Sequence, residues 1–164
     1  MAGHKCVTRH LKIEHLALIS SIIGAELDYK AAGTALRQAE WVYRRYNGSC
    51  LERRLREAVQ LVIDIVGLRV SSEKSPLVAV TAALTFLEMN SIAIASVSPL
   101  INLAVGSCKG YPDPEEAVES LKEAISSFKP RAFKSPLQAL QRALAMLVQD
   151  PDVNMGGCGQ SLDS

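Results

Sequence analysis

Residues 74–90 read KSPLVAVTAALTFLEMN, and residues 134–150 read KSPLQALQRALAMLVQD. Both open on the same tetrad, at Lys74-Ser75-Pro76-Leu77 and Lys134-Ser135-Pro136-Leu137. Serine followed by proline is a helix start: serine caps, and a proline at the first helical position has no N–H to lose. Laid over one another, the two runs also share Ala79 with Ala139, Ala83-Leu84 with Ala143-Leu144, and Leu87 with Leu147. Upstream, Glu57-Ala58-Val59 matches Glu116-Ala117-Val118, with one residue more in the second copy. A helical hairpin written twice is the plan these matches predict.

The punctuation around the repeats extends that reading. Ser98-Pro99 and Asp113-Pro114 are two further cap-and-proline starts. Together the four starts predict helices over 76–95, 99–108, 114–128 and 136–149. In the first half, Leu11, Leu16, Ile19, Ile22, Ile23 and Leu27 recur at helical spacing and predict a helix over 8–27. Asp28 caps a second helix, Tyr29–Tyr46, which Asn47-Gly48 stops. Ser49 and Glu52 have the capping-box form, opening a third helix from 50 to about Val66, with Gly67 as its end signal. The fold class is all-α: a helical bundle or short helix-hairpin array of six to seven helices with an internal duplication. One domain is expected over 1–151, built of hairpins 8–46, 50–95 and 114–149. The Gly-rich stretch 152–164 is expected to be disordered. Units of about forty residues resemble the helix hairpins of TPR or HEAT repeats, although the first-helix Trp, Gly and Tyr marks of the TPR family are absent.

Composition narrows the function classes. Apolar residues make up 48% of the 164-residue chain and aromatics only 5%, so Ala, Leu, Val and Ile fill the core, which suits close helix packing. The net charge of +1 creates no global field for nucleic acid or membrane. Charge is uneven, however: residues 1–72 carry +4 and residues 73–164 carry −3. The stretch 77–108 holds one acidic charge, Glu88, and is apolar enough to ask whether it spans a membrane. Asn90, Ser91, Ser96, Ser98, Pro99 and Asn102 interrupt it, and a helix apolar all round fits the centre of a bundle equally well. The run Leu16–Ala25 behind Lys5, Arg9 and Lys12 has a loose signal-peptide form, but Glu14 and His15 break it and no small-x-small cleavage site follows. Cys6, Cys50, Cys108 and Cys158 form no Cys-x-x-Cys pair and read as reduced thiols of a cytoplasmic protein, with Cys158 exposed. No membrane partner and no cofactor is implied.

Three constellations are candidates for chemistry. Arg44, Arg45, Arg53, Arg54 and Arg56 are five arginines within thirteen residues, with Trp41, Tyr43 and Tyr46 beside them. Guanidinium forks bind phosphate and aromatic rings stack bases, so this cluster is the candidate surface for RNA, DNA or an acidic protein. It is expected on one exposed edge, and the acidic stretch Glu115–Glu123 of the same protein is a natural counterpart. Cys6, His10 and Glu14 stand at i, i+4 and i+8 and would align on one face of a helix, as zinc ligands of the right kind. Arg9 and His15, in Arg-His-x-x-x-x-His, resemble the Arg-x(4–6)-His motif of the HEPN family. That resemblance implies a small helical dimer that cleaves RNA, with Arg9 stabilising phosphorane charge and His15 moving the 2′-hydroxyl proton. Glu88, alone in its apolar run, requires a partner if buried. The leading functional expectation is a helical interaction or scaffold subunit, acting as a homo-oligomer or with a protein partner, with nucleic acid as a further candidate ligand. A HEPN-like ribonuclease is the alternative.

Overall fold

The computed structural model describes residues 6–150 and Cys158. Seven helices occur among the described residues: α1 (Ile13–Ile23), α2 (Tyr29–Arg45), α3 (Cys50–Gly67), α4 (Ser75–Met89), α5 (Ser98–Cys108), α6 (Pro114–Ala124) and α7 (Pro136–Gln149). The all-α expectation therefore holds. Most helix starts fall where the sequence marks them, but Ser75 and Ser98 do not cap. They are the first residues of α4 and α5, whose cap positions are Lys74 and Val97 with no side-chain cap bond, so Pro76 and Pro99 come second. Asp28, Ser49, Asp113 and Ser135 each accept a backbone N–H of the first turn. Pro76, Pro99, Pro114 and Pro136 all lie at the first or second helical position.

The helix α4 is the axis of the molecule. Every one of its fifteen residues except Leu77 is buried, because it is apolar on all sides and needs cover on all of them. α3 packs along one side and α7 along another, with α5 and α1 closing the remainder. The two copies of the repeat are thus in contact with each other. Ala79, Ala83 and Leu87, four apart, face the core of α4, and their counterparts Ala139, Ala143 and Leu147 face the core from α7. No helix among the described residues is long and apolar enough to cross a membrane.

Several expectations are corrected. The helix predicted to reach residue 95 stops at Met89: the Asn90 side chain binds the Phe86 carbonyl at 2.8 Å, and Ser91 turns the chain at φ 56°. The β-branched run that follows makes a strand, β1 (Ile92–Ile94). It pairs antiparallel with β2 (Ile125–Phe128), into which the predicted 114–128 helix unwinds after Ala124. The expected hairpin 114–149 does not pack as one. α6 lies on α3 and α5, while β2 carries the chain across so that α7 can cover α4. Residues 6–12 are extended rather than helical, so the first helix begins only at Ile13. The tail expected to be disordered lies outside the described residues apart from Cys158.

The cysteines are not reduced thiols. Cys6 is bonded to Cys50 and Cys108 to Cys158, across 44 and 50 residues of sequence. Spacing could not show this, because the fold alone brings the N-terminal segment to the first residue of α3.

Candidate interaction surface

Residues 6–12 form an extended arm laid across α2, α3 and α4. Arg54, wholly buried on α3, is its main holder. Its Nε donates to Thr8 Oγ1 at 3.0 Å, Nη2 donates to the Val7 carbonyl, and Nη1 donates to the Asn90 carbonyl at 3.3 Å. The rings of Phe128 and Phe133 each lie 5.7 Å from the guanidinium carbon. Burial lowers the Arg54 pKa from its ordinary value. The Thr8 hydroxyl donates in turn to the Tyr43 oxygen at 2.8 Å, and the Tyr43 hydroxyl donates to the Cys6 carbonyl at 3.0 Å. His10 Nδ1 lies 2.8 Å from Glu57 Oε2, between Tyr43 and Phe86. Burial pushes the Glu57 carboxyl up, and the hydrogen bond from His10 opposes it.

This arrangement separates the expected metal ligands. Cys6 is in a disulfide, His10 is turned to Glu57, and Glu14 is on α1, because an extended arm does not stack i, i+4 and i+8. Among the described residues no three His, Cys, Asp or Glu side chains gather as a metal site. Arg9 and His15 are engaged separately. Arg9 lies 5.0 Å over the Phe133 ring, whereas His15 Nδ1 accepts the Lys12 N–H at 2.9 Å and so closes the start of α1. Burial lowers the His15 pKa.

The five arginines do not share an exposed edge. Arg54 is buried, as above. Arg53 donates through Nε to the Tyr43 carbonyl at 3.0 Å and lies 4.5 Å over the Tyr43 ring. Arg56 lies over Tyr46 and makes a two-pronged pair with Glu115, with Nη2 to Oε1 at 2.8 Å. That bond raises the Arg56 pKa and lowers that of Glu115. Tyr46 donates to Glu52 at 2.9 Å, which faces Lys122 at 3.7 Å. The acidic second half therefore does meet the arginine cluster, but within one chain, joining α3 to α6. Glu88 likewise finds the partner its burial demands: at 3% exposed, it accepts Lys134 Nζ at 3.0 Å and Arg142 Nε at 3.1 Å.

The arginines of the cluster that stay in solvent, Arg44 and Arg45, are on the outer face of α2. The inner face of this helix is Ala32, Ala35, Ala39 and Tyr43, small residues for the most part, which let it lie close on α3. The opposite face, at spacings of three, four and seven, carries Lys30, Arg37, Trp41, Arg44 and Arg45. Trp41 is the only tryptophan in the chain and is 57% exposed. The Arg45 guanidinium lies over its ring at 4.6 Å, and Arg44 pairs with Glu40 one turn back. Of the sequence-based candidates Arg44, Arg45 and the neighbouring Trp41 belong to this face. Lys30 and Arg37 join it through helical phase, a signal present in the sequence once the α2 register is known.

The chain matches no family model, no curated protein and no solved structure.

Proposed function

We propose that this protein is a small helical interaction module whose α2 face docks an acidic protein partner, with Trp41 as the anchor. The observation that carries the reading is the stack of Arg45 on the exposed Trp41, in a stripe of cations with one acid at its edge. Tryptophan and arginine are the residue types that most often dominate binding energy at protein interfaces. The surrounding cations favour an acidic counterpart and speed encounter with it. Two disulfides argue for an oxidising compartment rather than the cytoplasm, and that favours a protein over a nucleic acid.

The single tryptophan makes the test direct. Trp41 fluorescence is followed while poly-L-glutamate, or a single-stranded homopolymer oligonucleotide of equal charge, is titrated in at several salt concentrations. Poly-L-glutamate is expected to change the emission, with affinity that falls as salt rises. The double variant Arg44→Ala/Arg45→Ala should weaken it on the order of tenfold. No emission change, or an unaltered affinity in the variant, removes the reading. Tighter binding of the oligonucleotide would replace the protein partner with nucleic acid.

A further inference from the structure

The arm occupies its groove as a bound peptide would. It is extended, and the groove reads mainly its backbone: Arg54 holds the Val7 carbonyl, Tyr43 the Cys6 carbonyl, and Asn90 both polar groups of Arg9. Thr8, His10 and the buried Leu11 add side-chain contacts. Main-chain bonds supplemented by a few side-chain pockets are how extended segments are recognised. None of these contacts depends on which copy of the chain supplies the arm.

The helix that follows is lightly held. Only Leu16, Ile19 and Ser20 of α1 are buried, while Leu18 is 41% and Ile22 50% exposed. The chain then reverses at Gly24, whose φ of +79° suits glycine. Lys74 Nζ donates to the Ile23 and Gly24 carbonyls at 3.3 and 3.4 Å, and the Asp28 N–H meets the Val70 carbonyl at 2.8 Å. Gly24–Leu27, with Ala25 and Leu27 half-buried against the core, is the short connection that would serve as a hinge between α1 and the rest of the bundle.

We propose that this groove is also the receptor for the arm of a second copy. Two chains then exchange residues 6–23 and form a dimer locked by two intermolecular Cys6–Cys50 disulfides. Exchange preserves every arm contact and alters only the hinge, which is why such swaps cost little. Leu18 and Ile22 are the apolar residues available to the new surface between copies. This dimer uses a different face from α2 and does not rest on the acidic-partner reading.

Exchange needs the disulfide opened and remade. A dithiol such as dithiothreitol supplies two electrons and two protons to Cys6–Cys50, giving two cysteine thiols and the cyclic disulfide of the reagent. Oxidised glutathione reverses this, taking two electrons and two protons from the cysteines and leaving as two glutathione thiols.

The experiment uses the unaltered chain in two forms, natural-abundance and heavy-nitrogen-labelled. Equal amounts are mixed, reduced with dithiothreitol without denaturant, reoxidised with oxidised glutathione and digested under non-reducing conditions. Mass spectrometry of the linked peptides is expected to show Cys6–Cys50 pairs of mixed label, rising to roughly half of the linked material when all chains have exchanged. Light scattering should show a dimer, and Cys108–Cys158 should stay within single-label chains. Cys6–Cys50 peptides of single label alone would overturn the proposal. Mixed labels in both disulfides would also overturn it, because they mark random thiol reshuffling rather than exchange of the arm.

Discussion

Asn90 holds Arg9 by both of its backbone polar groups. Its Oδ1 accepts the Arg9 N–H at 2.9 Å and its Nδ2 donates to the Arg9 carbonyl at 3.0 Å, across 81 residues of sequence. The same Nδ2 donates to the Phe86 carbonyl in the last turn of α4. One fully buried amide thus ends the central helix and pins the N-terminal arm to it.

Asn90→Ala removes both side-chain partners of the Arg9 backbone at a partly buried position, while the Phe86 carbonyl keeps the backbone N–H of residue 90. It is expected to cost about 2 kcal/mol of stability, the scale for stranding buried hydrogen-bonding groups. Urea denaturation measures the loss, and trypsin should cut after Arg9 and Lys12 faster than in the parent. Equal midpoints and equal cleavage rates would mean that the clamp does not hold the arm.

Arg54 and Arg45 should behave oppositely although both belong to the same sequence cluster. Arg54→Ala takes a donor from the buried Asn90 carbonyl and removes the bonds to Val7 and Thr8, with an expected loss of about 3 kcal/mol. Lysine at that position should not restore it, because its single ammonium lacks the guanidinium fork. Arg45→Ala, on the exposed face, should stay within about 0.5 kcal/mol of the parent. Thermal or urea unfolding of the three variants decides the matter, and equal losses at both positions would contradict the assigned burial.

The Cys6–Cys50 bond closes a 44-residue separation. Chain-entropy arguments give about 4 kcal/mol for such a loop, with measured values commonly about 2 to 4 kcal/mol. The double variant Cys6→Ser/Cys50→Ser, compared with the oxidised parent in guanidinium, should show a loss in that range. A midpoint unchanged from the parent would mean that the two cysteines are not bonded in the folded protein.

Asp64 gives a pH dependence. It is buried on α3, Gln60 donates to one carboxylate oxygen at 3.0 Å, and the other oxygen has no hydrogen-bond partner. Burial raises its pKa above the ordinary aspartate range. The folded state therefore holds the proton more tightly than the unfolded state. The stabilisation is complete below the unfolded pKa and is lost as pH rises through the raised folded pKa. Asp64→Asn, which carries no charge at any pH, should remove that slope and raise the melting temperature at neutral pH. Melting curves collected from mildly acidic to neutral pH test this, and an unchanged slope in Asp64→Asn would assign the dependence to another group.

Local rules of helix formation are legible in the sequence. Caps and prolines mark where helices begin, and α7 starts and stops where Ser135-Pro136 and Asp150 indicate. The unbroken apolar character of α4 implies a helix covered on every side, and the isolation of Glu88 implies a buried pair. Even Arg54 carries a signal, since it falls in phase with Leu51, Ala58, Leu61 and Ile65 on the apolar stripe of α3. Counting arginines as one cluster hides that phase by grouping Arg54 with exposed neighbours. The strands are harder: Ile92-Ala93-Ile94 is too short to distinguish from the end of an apolar helix until its partner Ile125–Phe128 is known.

Sequence alone determined the all-helical class, the helix starts and the core-facing repeat Ala79, Ala83, Leu87 and Ala139, Ala143, Leu147, because capping and periodicity act over a few residues. Only tertiary structure decided that α7 covers α4 instead of pairing with α6, which arginines face water, which cysteines bond and that the arm is clamped by Arg54 and Asn90. Those outcomes depend on groups separated by 36 to 81 residues of chain, and burial and partner geometry at that range arise only once the helices have packed.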